Sequence, residues 1–272
     1  SRNPVSPHRN ESRRNEFGGD SILRDAWQIW DLTMVAAVIV LMAMLLTPAV
    51  FHARESARRL ACASNFRELG INLRQFSENH GGRFPLVHTS GNTAVAGSFV
   101  FPLRDAGLLP NPCILLCPAS ESAAFVEPFD IPTVEEMDRM DEERLHWVQR
   151  RLSGSVGYHV GEYFRGLLIA RQDRSCEFMA IAADAAEHGR GLAYLSTHPG
   201  NGRNVLFESC SVKYVRRVVD SVRDMDDIFH NAYQRFAAGI HPEDSVIAES
   251  GASIPYMLVA TPEFPDDYPD SE

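Results

Sequence analysis

Five side chains in the C-terminal half are of the kinds that carry out acid, base or metal chemistry: Asp184, Glu187, His188, His198 and Glu208. Carboxylates and imidazoles ligate divalent ions and move protons near neutral pH. Glu187-His188 lies in a glycine-rich loop and His198 opens another, the kind of place where functional residues gather. Their spacing fixes no coordination geometry, and the chain contains no His-Glu-x-x-His, Gly-x-Ser-x-Gly, phosphate-binding loop or dinucleotide fingerprint. Asp184, Glu187 and His198 are the metal candidates. Asp184 and Glu187 could offer calcium its oxygen ligands, although not at the spacing of a calcium loop. His198, beside Pro199, serves equally well as a loop-ordering histidine bonded to backbone. The reading is of a protein that is not an enzyme and needs no cofactor.

Cysteine is the other reactive type. Cys62, Cys113, Cys117, Cys176 and Cys210 are too few and too scattered for a disulfide scaffold, and an odd count leaves at least one thiol unpaired. Cys113 and Cys117, four apart, read as a local disulfide, half a zinc site or two buried thiols. No second Cys/His pair with ligand spacing follows, which counts against zinc.

The elements that must position these groups follow from periodicity. Phe178–Asp184 is a buried strand, and Asn204–Glu208 with Val212–Arg216 form a hairpin. Its turn, Glu208-Ser209-Cys210, lacks the Asp-Gly suited to two residues at positive φ, so a longer or bulged turn is expected. Ser155–Ala170, broken by glycines, reads as strand, bend and strand. Thr133–Leu152 opens with the capping pattern T-x-x-E and reads as an inserted surface helix. Arg216–Phe236 has helical spacing, and Ser253–Glu272, with four prolines and a run of acids, ends in a disordered tail.

Upstream of all this lies Leu32–Phe51, twenty residues without a charge. At about 1.5 Å per residue they reach roughly 30 Å, the thickness of a bilayer's hydrocarbon. The helix continues over His52–His80, where Cys62, Phe66, Leu69, Leu73 and Phe76 form an apolar stripe, until Gly81-Gly82 and Arg83-Phe84-Pro85 end it. Residues 1–31 are polar and long for a secretory signal, so the span is read as retained. Arg13, Arg14 and Arg24 precede it, while Arg54, Arg58, Arg59 and Arg67 follow, which by charge alone narrowly places the body in the cytoplasm. The formal charge of −10 argues against nucleic acid as a partner. Arg outnumbers Lys 25 to 1, Lys213 being the single lysine, and this reads as coding bias.

Ala57–Pro85 resembles the segment that follows the membrane helix in prepilin-like proteins of the planctomycete-type family (DUF1559-like), with Cys62, Asn65, Gly70, Gly82, Phe84 and Pro85 in step. Cys117-Pro118 is similar to that family's Cys-Pro segment, and His159 stands where its pattern has Asn. Ser196–Val215 resembles its C-terminal signature, His, nine residues, then Asp-Gly: His198, Gly200, Gly202, Asn204, Val205, Leu206, Phe207 and Val212 match, and Glu208-Ser209 replaces Asp-Gly.

The resemblance implies an α+β, pilin-like fold, a long N-terminal transmembrane helix packed on an antiparallel sheet. The implied organisation is a leader over 1–31, a span over 32–51, a body over 52–217 and a C-terminal helix and tail over 218–272. It also implies a single-pass protein with its body extracytoplasmic, overriding the charge count, and a structural subunit of a type IV pilus or type II secretion pseudopilus. The expected partners are the lipid bilayer and other pilin subunits met through the N-terminal helix. Aligning Asp31 with the pilin acid makes Trp27 the first mature residue and Ala26, where the family has Gly, the residue before the cut. Competing readings are a membrane-tethered binding module that does not assemble and a metal-dependent hydrolase.

Overall fold

The computed structural model describes residues 19–120, 130–185, 202–215 and 228–260, with backbone only for 19–29. The chain divides into two compact units, Ser1–Arg54 and Glu55–Glu272. In the first, the described residues belong to helix α1 (Gly19–Asn79), which contains Pro48. Its apolar stretch is long and apolar enough to cross a membrane and is nowhere buried. Thr33 and Thr47, the hydroxyls of that stretch, return their hydrogens to the carbonyls of Trp30 and Ala43, so neither offers an unmet donor to an apolar surrounding.

The second unit is α+β. Cys62, Phe66, Leu69, Leu73 and Phe76 are all buried, so the spacing of four and three does turn one face of α1 into the core. After α1 come the short helix α2 (Val100–Asp105), then α3 (Val134–Asp138) and α4 (Glu142–Gln149), strands β1 (Val156–His159), β2 (Glu162–Phe164), β3 (Leu167–Ile169), β4 (Ala180–Asp184), β5 (Arg203–Phe207), β6 (Val212–Val215) and β7 (Ile247–Ala248), and helix α5 (Ile254–Ala260). Among the described residues β6, β5, β4, β1 and β7 form, in that order, a five-stranded antiparallel sheet, and β2 and β3 pair as a separate hairpin.

Alternation along β5 sends Leu206 to the core that α1 shares and Val205 and Phe207 to the opposite face, where Ile228, Phe229 and Ile247 gather. A register shift in β4 between Ala180 and Ala182 brings both Ile181 and Ala182 onto the α1 side. Both faces are covered, which explains why β1, β4, β5 and β7 are buried throughout.

Several expectations are refined. The helix expected over Thr133–Leu152 is two: the capping box at Thr133 starts α3, and Asp141 accepts from the Arg144 N–H at 2.9 Å to cap a new start, α4. Ser155–Ala170 yields three strands, the turn between β2 and β3 being built on Arg165 and Gly166, both at positive φ, 49° and 82°. The hairpin of β5 and β6 has the longer turn expected of Glu208-Ser209-Cys210, with Cys210 at φ 60°.

Within the helix expected over Arg216–Phe236, 216–227 lie outside the described residues and 228–236 are turns and bends. There the buried Asn231 side chain accepts the N–H groups of Tyr233 and Arg235, a local bond that competes with helix formation. Of the residues after β6, the described 228–260 pack into the body: β7 adds to β1, and Ile254 and Met257 of α5 are fully buried in the main core.

Candidate functional site: where the helix meets the sheet

Helix α1 over 62–74 and the described residues 202–215 meet at one junction. Cys62, on the buried face of α1, forms a disulfide with Cys117 across 55 positions of sequence. One turn on, Asn65 Nδ2 donates to the Leu116 carbonyl at 3.0 Å, fixing the same strip of chain. At Gly70 a Cβ would stand 2.8 Å from Cδ1 of the buried Leu206, so glycine allows α1 to lie directly on β5. Cys210 Sγ donates to the Gly70 carbonyl at 3.3 Å, and Arg74 Nη2 to the Glu208 carbonyl at 2.7 Å. Positions 62, 65–66, 69–70 and 73–74 lie on one helical face, and together they seat α1 against the turn of the β5–β6 hairpin. Burial raises the Cys210 thiol's pKa, which keeps it a donor, while the Arg74 charge acts in the opposite direction.

Glu208 is the polar centre of this junction. Wholly buried, its carboxylate accepts from Arg171 Nε and, at 3.1 Å each, from the backbone N–H groups of Arg174 and Cys176. Arg171 reaches Glu162 Oε1 at 3.4 Å with its other arm. Burial lifts the Glu162 carboxyl above its usual range, and the guanidinium groups of Arg171, Arg174 and Arg83 draw it back. The three bonds that Glu208 accepts tie the 171–176 loop to the turn of the β5–β6 hairpin.

Asp184 behaves alike at the other end of the ladder. It is buried, and Oδ2 takes both the backbone N–H of Asn204 at 2.8 Å and its side-chain amide at 3.0 Å. Asp184 and Glu208 are thus not one cluster. They lie at opposite ends of the β4–β5 pairing, about four residues or roughly 13 Å apart along the strands. Glu187, His188, His198 and Gly200 lie outside the described residues. Among the described residues no three His, Cys, Asp or Glu side chains converge as metal ligands would.

His159 closes β1. Its buried Nδ1 accepts the Gly161 N–H at 2.9 Å, a bond to the residue two ahead such as the side-chain oxygen of an asparagine makes in an Asx turn. Burial, with the Arg171 charge adding to it, holds the His159 pKa down at about 3.

No protein-family model, curated protein or solved structure matches the chain. Its site is read from its own geometry, and that geometry corrects the sequence reading on one point. Of the alternatives open for Cys113 and Cys117, neither a bond between them nor two buried thiols is found: Cys117 is bonded to Cys62, and Cys113 is a free, exposed thiol. Cys113 sits in a 3-10 turn (Pro112–Leu115) whose start is capped by Asn111, whereas Cys117 follows that turn and is buried against α1. A signal for the true pairing was present: Cys62 belongs to the apolar stripe, so its sulfur had to face the body. Phe84 and Pro85 join the same assembly, Phe84 N–H donating to the Arg171 carbonyl at 2.9 Å and the buried Tyr158 hydroxyl to the Pro85 carbonyl at 3.0 Å. Ala26 and Trp27 fall within the backbone-only part of α1, and Asp31 follows them on the same helix. Arg171, Arg74, Asn231 and Asp244, all central to buried polar networks, carried no sequence signal beyond being polar.

Proposed function

We propose that the chain is a single-pass, membrane-anchored structural subunit of pilin-like build, its body extracytoplasmic and its apolar helix available to assemble with like helices in a pilus or secretion pseudopilus. The observation that carries this reading is the division of labour along α1: the stretch Leu32–Phe51 leaves every large apolar side chain exposed, while Cys62, Phe66, Leu69, Leu73 and Phe76 are buried and Cys62 is bonded to the body. An exposed apolar helix of this length is at home in lipid or against another such helix. The Cys62–Cys117 disulfide favours an oxidising compartment for the body, against the narrow charge count. The resemblance of Ala57–Pro85 and Ser196–Val215 to prepilin-like proteins points the same way, and four of its matched residues, Cys62, Asn65, Gly70 and Leu206, lie where α1 meets the body.

The exposed Cys113 thiol makes the orientation testable. In intact cells expressing the full chain, a membrane-impermeant maleimide is expected to label Cys113; labelling only after lysis overturns the extracytoplasmic placement. Assembly is read separately, with Leu45→p-benzoyl-phenylalanine in the span. Irradiation of the chain in membranes should give dimers joined through that position, and a span that cross-links to lipid alone overturns assembly in favour of a simple anchor.

A further inference from the structure

Pairing Cys62 with Cys117 leaves the thiols of Cys113, Cys176 and Cys210 free, and the last two stand on segments that are bonded to each other. Both are half-buried. Cys176 lies in the loop between β3 and β4, and Cys210 in the turn of the β5–β6 hairpin. The Cys176 N–H donates to Glu208 Oε2 at 3.1 Å, and its carbonyl accepts the Ser209 N–H at 3.2 Å. Cys210 is the next residue, its Cα about 3.8 Å from that of Ser209. Hydrogen-bonded neighbours stand about 5.5 Å apart at Cα and a disulfide spans about 4.4–6.8 Å, so the turn has one residue's offset to take up.

Both segments rest on one stretch of α1. Cys210 Sγ donates to the Gly70 carbonyl, and the charges of Arg74, Glu78 and Asp173 reach that thiol. Asp173 belongs to the loop of Cys176, and its Oδ2 accepts the Ser77 hydroxyl at 3.1 Å. The course of the loop is set locally: Asp173 Oδ1 accepts the Ser175 N–H at 2.9 Å, and Ser175 takes a left-handed φ of 53°, after which the Cys176 N–H meets Glu208. Cys210 is left-handed too, at φ 60°, a conformation that glycine or asparagine adopts at less cost. Cysteine at that place calls for a reason, and the hydrogen bond from its sulfur is a weak one. The Cys176 sulfur makes no hydrogen bond among the described residues.

We propose that Cys176 and Cys210 form a second, reversible disulfide, a clasp between the β3–β4 loop and the β5–β6 turn across the buried Glu208 carboxylate. The reaction is exchange with a small disulfide such as oxidised glutathione. The Cys176 thiolate attacks one glutathione sulfur and expels the other as a thiolate; the Cys210 thiolate then attacks the Cys176 sulfur and expels the second. Two electrons pass from the cysteines to the glutathione disulfide, and the two protons end on the released thiols. Cys176 reacts first because the Cys210 sulfur is engaged with α1. The product gives up the bond from Cys210 to Gly70 and gains a covalent tie between segments that Glu208 otherwise joins by hydrogen bonds alone. Its occurrence in the cell rests on the extracytoplasmic placement of the body; its chemistry does not.

The test uses the purified full chain in detergent, its Cys62–Cys117 bond intact, equilibrated with reduced and oxidised glutathione at a rising oxidised share. Acid quenching, alkylation, digestion and peptide mass analysis then read the state of each thiol. A peptide pair joined through Cys176 and Cys210, two hydrogens lighter than the separate peptides, is expected to accumulate and to disappear when reduced glutathione is restored. Cys113 should carry glutathione instead. Closing the loop between positions 176 and 210 should raise the thermal midpoint by roughly 5–10 °C. Cys210→Ser should trap glutathione on Cys176. Because a serine in the turn can itself disturb folding, the joined peptide in the unsubstituted chain is the deciding observation. Glutathione on both Cys176 and Cys210 without a joined pair, both thiols left free at the highest oxidised share, or a pair that forms only in urea overturns the proposal. The maleimide test of orientation stands apart: a joined pair in the purified protein with Cys113 shielded in intact cells upholds the clasp and defeats the extracytoplasmic placement.

Discussion

At the scale of single residues, His159 sets an acid limit on the body. Its folded pKa of about 3 lies below the ordinary 6.5, so between those values the unfolded chain binds a proton that the folded chain refuses. The stability it contributes is complete above pH 6.5 and is lost as pH falls toward 3, at up to about 1.4 kcal/mol per pH unit. Urea unfolding at pH 7 and pH 5 should differ by about 2 kcal/mol on this account. His159→Asn, which keeps an acceptor for the Gly161 N–H and does not titrate, should remove that part of the difference, and an unchanged pH slope in the variant would refute the assignment.

Glu208 presents the opposite case, a charge that is buried and fully answered. Glu208→Gln leaves Arg171 buried with only Glu162 to offset it, and breaking such a pair from one side costs about 3–5 kcal/mol. A shift in the urea midpoint of matching size is expected, with no change in the redox state of Cys62 and Cys117. A variant as stable as the parent would mean the carboxylate is better solvated than its burial indicates.

Elements are joined chiefly by the Cys62–Cys117 bond, which closes a loop of 55 positions. Loop entropy places its contribution at about 4 kcal/mol, with the usual range for native disulfides about 2–5. Reduction, or Cys62→Ser with Cys117→Ser, should therefore lower the unfolding midpoint markedly. Alkylation of the native, unreduced protein followed by peptide mass analysis should mark Cys113 first and leave Cys62 and Cys117 unmarked. Alkylated Cys62 would show that the bond is not formed.

At this same scale the legibility of the chain can be judged. The buried stripe on α1, the capping box at Thr133, the buried strand β4 and the long turn of the β5–β6 hairpin were all readable, since each rests on bonds or faces within a few residues. The second start at Asp141, the β2–β3 turn at Arg165-Gly166 and the turns at Asn231 were not. A side-chain cap or a left-handed residue overrides periodicity locally, and it does so without altering the apolar pattern that periodicity measures.

For the whole molecule the decisive feature is the exposed apolar length of α1. Leu41 lies near its middle, and an arginine there costs about 2.5–3.5 kcal/mol for insertion. Leu41→Arg is expected to move a sizeable share of the full chain from the membrane pellet to the alkaline-carbonate extract. Unchanged extraction would argue that this stretch does not rest in the bilayer core.

What the sequence by itself determined is whatever depends on neighbours along the chain: an apolar helical stretch of bilayer length, the face of α1 that must be buried, and the strands. What only the tertiary structure decided is which distant groups meet. Cys117 chose Cys62 over Cys113 because a 3-10 turn separates the near pair while the α1 stripe presents the far one. Asp184 and Glu208, alike in type, went to opposite ends of one ladder, each accepting hydrogen bonds from backbone there. The edge β7, supplied from 88 positions beyond β1 (Tyr158↔Ala248 being 90 apart and His159↔Ile247 88), completed a sheet that the C-terminal region had given no sign of joining. Such pairings are settled by the packing of all elements at once, and no local period encodes them.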